Sequence, residues 1–192
     1  MRNTETTDLK WFEYRYRPEK IDIELALKCK EYLSIIFPYG IHDKIQDLSK
    51  LGLIKLIEKI IIDGAYIMDV NVEKIDFYNT VEPPKCNWGG YYLDSDKSIH
   101  INACYIYEGT PWQVESQIYI VFHELKHARQ WTAINKRKDY GYSDKLLKLW
   151  YDNFCNFITM EENEEQYRKQ PVELDASGFT AMLRGELLFE TI

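Results

Sequence analysis

The stretch Ile118–Trp131, IYIVFHELKHARQW, decides how this 192-residue chain is read. Upstream of it, Thr110-Pro111-Trp112-Gln113 sets threonine at a cap, proline at the first helical position and glutamine three residues after the cap. A helix therefore opens there and is expected to run to about Thr132. Along it Val114, Ile118, Val121, Leu125 and Ala128 recur in steps of four and three, the spacing of one stripe turned to a core. His123 and His127 lie one turn apart on roughly the opposite side, so their imidazoles can converge on a single ion. Glu124 sits about 100° further round. From there it reaches a water on that ion without taking a coordination place, which suits a general base.

Two histidines leave a catalytic zinc one protein ligand short, and the segment Tyr167–Phe179, YRKQPVELDASGF, offers the third. Pro171 opens a last helix, expected to extend through about Phe189. Glu173 falls in its first turn, where the helix dipole favours a carboxylate, and Ala176 one turn later is small enough for close helix packing. A simple N-terminal charge preference is the competing explanation for Glu173.

The remaining chain frames these helices. With 45% hydrophobic and 15% aromatic residues, a chain of this length can bury a substantial core as a single domain spanning 1–192, residues 1–20 forming an N-terminal arm. The net charge of −7 argues against nucleic acid as the main partner. No apolar run resembles a signal peptide or a membrane span, and Cys29, Cys86, Cys104 and Cys155 stand too far apart for a zinc ribbon or a disulfide framework. A reducing cytoplasm is the expected setting. Apolar spacing predicts a helix over Ile21–Phe37, stopped by Pro38, and a second from an Asp43/Gln46 capping box to Gly64. KIDFYNTV (74–81), GGYYLD (89–94) and SIHINACYIY (98–107) then read as strands of a small antiparallel sheet. Ser143 caps a further helix bearing Leu147, Trp150, Phe154 and Phe157, read as core, and the acidic MEENEEQ (160–166) reads as a solvated connection. The fold class expected is α+β.

HELKH at His123–His127 followed by ELDA at Glu173–Ala176 resembles the gluzincin arrangement of HExxH and a later glutamate helix, especially the compact ImmA/IrrE-type metallopeptidases. The resemblance covers about half the chain. It implies a zincin-like domain in which His123, His127 and Glu173 hold one zinc ion and Glu124 activates water, with a peptide or protein as substrate. It also implies that the strand before the metal helix, here Ser98–Ile106, borders the substrate cleft. Lys126 and Arg129 depart from the pattern by carrying charge where such signatures favour uncharged residues, and Ser177 stands where several gluzincins have an acid. The absence of a recognisable targeting module leaves the substrate open, and the oligomeric state is equally open.

Three further residues bear on that reading. Tyr167, just before the last helix, is a candidate donor to a developing oxyanion. Asp175 either orients a ligand histidine from behind or faces solvent as an ordinary helix acid. His100 shares a strand face with Asn102 and Cys104; a plain strand histidine is the simpler reading, but if that face lines the cleft, Asn102 would shape peptide preference. The alternative to a zinc peptidase is a non-catalytic binding or regulatory module on the same fold.

Overall fold

The computed structural model describes residues 16–80 and 89–186. The first fifteen residues of the expected arm, the turn sequence before Gly89 and the end of the expected last helix lie outside the described residues. Among the described residues, eight helices and three strands follow one another: α1 (Lys20–Ile36), α2 (Ile41–Ile45), α3 (Lys50–Met68), β1 (Lys74–Tyr78), β2 (Gly90–Leu93), β3 (Ser98–Asn102), α4 (Cys104–Tyr107), α5 (Pro111–Ile134), α6 (Asp144–Cys155), α7 (Glu164–Arg168) and α8 (Pro171–Arg184). The class is α+β.

The sheet corrects one expectation. Its order is β1-β3-β2, with β3 antiparallel to β2 but parallel to β1, so it is mixed rather than antiparallel. Alternating Ile99 and Ile101 specify which face of a strand is buried, not which neighbour it takes or in which direction. Because β3 is central, it offers no edge; among the described residues the edges are β1 and β2. The strand also stops sooner than expected. The Asn102 side chain accepts from the Cys104 backbone N–H at 3.1 Å, and the chain turns into α4 instead of continuing to Ile106.

The expected second helix is two. The Asp43/Gln46 box does not form; Ser49 instead caps α3 by accepting from Gly52 N–H at 3.1 Å. Nor does Gly64 end that helix. It lies where α3 crosses α5, and a Cβ there would meet Leu125 Cδ1 at 2.7 Å. Glycine is needed for close approach, and α3 ends at Asp69 in the left-handed conformation. At the other end of the chain Gly185, with φ 75°, stops α8 before Phe189. The acidic connection carries the short helix α7, capped by Asn163.

Helix α5 is the central element. Its Thr110 capping box forms as expected, and its apolar stripe, Val114 to Ala128, is buried in the core that α5 shares with α3, β3 and α8. A smaller cluster of Ala133, Tyr140, Tyr142, Leu146, Trp150 and Val172 joins α5, α6 and α8 beside that core. No helix among the described residues is long and apolar enough to cross a membrane.

Candidate metal centre

Helix α5 presents His123 and His127, and the first turn of α8 presents Glu173. Close packing of the two helices is possible because Ala176 is fully buried between them. His127 Nε2 lies 3.1 Å from His123 Nε2 and 3.4 Å from Glu173 Oε1, while His123 Nε2 lies 3.2 Å from Glu173 Oε2. One donor atom from each residue falls within 4.8 Å of the other two, so the three can share one ion.

The start of α8 is held by α6. Asn153 Oδ1 accepts from the Val172 N–H at 3.1 Å, one of the first-turn donors that the helix itself cannot satisfy. Asn153 Nδ2 in turn donates to Gln170 Oε1 at 3.0 Å, and Gln170 clasps the Ile158 backbone through both its amide atoms at 2.8 Å. Glu173 is thereby fixed in the first turn of α8, itself buried, between buried Val172 and half-buried Leu174.

Electrostatics set the three groups against one another. Burial alone would raise the Glu173 carboxyl, but the charge and hydrogen bonds of His127 and His123 outweigh it and hold the group well below the usual carboxylate range. Burial alone would lower His127; the Glu173 carboxylate reverses this and pushes the imidazole up to about 9. Glu124 moves the other way. Its burial, with the negative Glu173 beside it, raises its carboxyl despite the pull of His123, His127 and a hydrogen bond from the Tyr92 N–H. A buried carboxyl kept easy to protonate suits proton transfer near neutral pH. The donor set of two imidazoles and a carboxylate, with a second carboxylate beside it, fits a divalent zinc-like cation.

Behind His127 stands Gln130, which the sequence reading passed over. Its Oε1 lies 2.9 Å from His127 Nδ1, and its Nε2 donates to Asp175 Oδ2 at 2.7 Å and to the Val172 carbonyl at 3.1 Å. Asp175 is therefore no solvent-facing acid, and it reaches His127, a candidate ligand, only through Gln130. The signal was a polar side chain three residues after a ligand, close to the same helix face.

The two charged departures are buried as well. Lys126 Nζ donates to Asp22 Oδ1 at 2.6 Å and to the Tyr142 hydroxyl at 3.1 Å, and lies 3.2 Å from Asp175 Oδ2. Burial would neutralise this amine; Asp175, Tyr142 and Asp22 keep it charged. Arg129 donates to the same Tyr142 hydroxyl at 3.0 Å and to the Met68 carbonyl at the end of α3 at 2.5 Å.

A cleft of about 590 Å³ opens over the triad, with Gly89–Tyr92 on one side and Trp131, Phe154, Phe157 and Tyr167 on the other. Tyr167 reaches the site: it lines the same cleft as Glu173, and burial, followed by the Glu173 and Glu124 charges, pushes its ionisation upward, so it remains a proton donor. His100 does not reach it. Its ring stacks on Tyr91 at 4.4 Å, with Nδ1 3.1 Å from Asp76 Oδ2 and Nε2 2.8 Å from Ser98 Oγ. Asn102 is fully buried and bonded to the Thr80 backbone, and Cys104 has left the strand, so that face does not shape the cleft.

Compared with models of protein families, with curated proteins and with solved structures, the chain matches none.

Proposed function

We propose that the protein is a zinc-dependent peptidase of zincin-like design. The observation that carries the reading is the convergence of His123, His127 and Glu173 with a buried Glu124 beside them. A zinc ion held there supplies Lewis acidity toward a water and toward the scissile carbonyl. Glu124 takes the proton of that water and passes it to the leaving amine, for which its raised affinity for a proton is suited. Tyr167 donates a hydrogen bond to the carbonyl oxygen as charge develops on it.

The substrate backbone is assigned to β2, not β3. Gly89 O accepts from Asn102 N–H at 2.8 Å, which makes that pair a hydrogen-bonded one. By antiparallel alternation Gly90 and Tyr92 turn their peptide groups away from β3. The Tyr92 N–H is turned toward Glu124, so Gly90 and the Tyr92 carbonyl are the groups of this edge assigned to an extended peptide.

Metal analysis of the full chain purified without added zinc, paired with cleavage of a mixed peptide library, tests this. Expected are about one zinc per chain and hydrolysis that Glu124→Gln abolishes while zinc content stays. Stoichiometric zinc with no hydrolysis would leave a metal-binding module; absence of zinc, or turnover surviving in the Gln variant, would overturn the assignment.

A further inference from the structure

The proposed chemistry makes no use of three aromatic rings beside it. His123, His127 and Trp131 recur at intervals of four on α5, so the tryptophan continues the ligand face outward by one more turn. Its ring stacks on Phe154 at 4.3 Å with 22° between planes, and Phe154 is followed by Phe157 at 6.4 Å and 23°. Tyr167 closes the row edge-on to Phe157 at 5.9 Å. The row begins at the metal centre, since the Phe154 and His127 rings are 6.3 Å apart.

These rings are not core, as their helical spacing with Trp150 suggested. Trp150 is fully buried, but Phe154 is only half-buried and Phe157 is 37% exposed, and both face the cleft. Apolar surface left in water forfeits about 25 cal/mol per Å², so a ligand that covers the wall recovers that term. The facing wall has a different character. At Gly89 and Gly90 it is bare main chain; a Cβ on Gly89 would collide with Ile120 Cδ1, and one on Gly90 would lie 2.8 Å from the His100 carbonyl oxygen. Among the described lining residues the charge-bearing groups are Glu124, Glu173, His123 and His127 at the centre and Arg168 at the rim, where its Nη2 is 2.9 Å from Glu164 Oε1. The faces of Trp131, Phe154 and Phe157 carry no charge that would neutralise an ionic side chain.

We propose that Trp131, Phe154 and Phe157 form a subsite for one large apolar side chain, aromatic or long aliphatic, next to the scissile bond of an extended peptide. The peptide nature of the ligand rests on the hydrolase reading. Main chain on β2 holds any sequence by its backbone; the ring wall chooses among sequences by one side chain, within a side-chain length of the reacting carbonyl.

The test uses zinc-supplemented full-length Glu124→Gln protein, which binds without cutting, and a positional-scanning library of N-acetylated decapeptides read by fluorescence anisotropy. At one position Phe, Tyr, Trp or Leu should tighten binding over Ala by on the order of 10- to 100-fold, with Asp and Lys no better than Ala. Adding Phe157→Ala, which lies beyond the end of α6, should remove most of that preference with zinc content and melting temperature retained. Phe154→Leu, which keeps an apolar side chain against His127, should narrow it. The subsite is overturned by no peptide binding, by equal affinity for Phe and Ala at every position, or by a preference that survives both substitutions. Wild-type cleavage of the same library separates the two readings. Turnover without apolar preference rejects the subsite and leaves the hydrolase; apolar preference without turnover does the reverse.

Discussion

Gln130 decides which nitrogen His127 offers to the centre. Both hydrogens of its amide nitrogen are committed, to the Asp175 carboxylate and to the Val172 carbonyl, so its oxygen must face His127 Nδ1. In the zinc-loaded protein, where the ring must be neutral to ligate, Nδ1 would then keep its proton and Nε2 would turn its lone pair to the candidate metal position; without metal the ring takes a second proton more readily than a free imidazole. Replacing Gln130 by Leu leaves Nδ1–H without an acceptor and should weaken zinc binding by about 10- to 100-fold, measured by chelator competition. Gln130→Glu keeps an acceptor for Nδ1–H while losing both donations, so it should hold zinc better than the Leu variant. Long-range 1H–15N spectra of the zinc-loaded wild type should show His127 protonated at Nδ1; the Nε2-protonated form there, or unchanged affinity in Gln130→Leu, would remove Gln130 from this role. At this scale the convergence of His123, His127 and Glu173, with Glu124 beside them, was legible because two histidines one turn apart share a helix face and a small residue after Glu173 lets the next helix come close. Gln130 was not, since its role depends on Asp175, 45 residues away, and on a carbonyl that no side-chain pattern records.

Helices were legible as elements wherever a cap and an apolar stripe agreed, as at Thr110 for α5 and Ser143 for α6. The sheet was legible as strands but not as an arrangement, and so the edge facing the cleft was assigned to the wrong strand. What keeps β2 in place as that edge is a clamp at its far end. Asp94 accepts from Arg137 Nη1 at 2.7 Å and Nη2 at 2.9 Å, tying the β2–β3 turn to the segment just after α5. Burial alone would raise the Asp94 carboxyl, but Arg137 and Lys97 lower it on balance, so the pairing holds at neutral pH and weakens only as acid protonates Asp94. Arg137 is partly exposed, and its loss should cost no more than about 1 kcal/mol of stability. Arg137→Gln should raise KM for an extended peptide several-fold through a loosened edge while leaving zinc content, and most of kcat, as they were. A fall in kcat with KM unchanged would place the effect at the metal centre and not at the strand.

Across the whole molecule, the charged pair that looked out of place on α5 joins elements distant in sequence. Lys126 meets Asp22 of α1 and Asp175 of α8, while Arg129 meets the last carbonyl of α3, and Tyr142 lies between them. An amphipathic reading turns charge outward, so it could not foresee a helix buried on nearly every side; the partners of Lys126 lie 104 and 49 residues away along the chain. Lys126→Met retains most of the volume but leaves two buried carboxylates without their cation, which should cost on the order of 3–5 kcal/mol. The cost should depend on pH in a defined direction. The Asp175 carboxyl is already raised, by burial first and by Asp22 beside it, against the opposing pull of Lys126. Without Lys126 that opposition disappears and the group rises further. A carboxyl raised in the folded state binds its proton more tightly there than in the unfolded chain, so folding is penalised as pH rises above the ordinary carboxylate range and relieved as pH falls toward it. Urea unfolding of the metal-free protein at pH 5, 6.5 and 8 should show the gap between wild type and Lys126→Met widening with pH, and Lys126→Met/Asp175→Asn should flatten it. Because Asp175 also fixes Gln130, the single variant should lose zinc affinity at neutral pH in parallel with stability. A gap that stayed constant across the three pH values, or a more stable Met variant, would show that the network contributes packing alone.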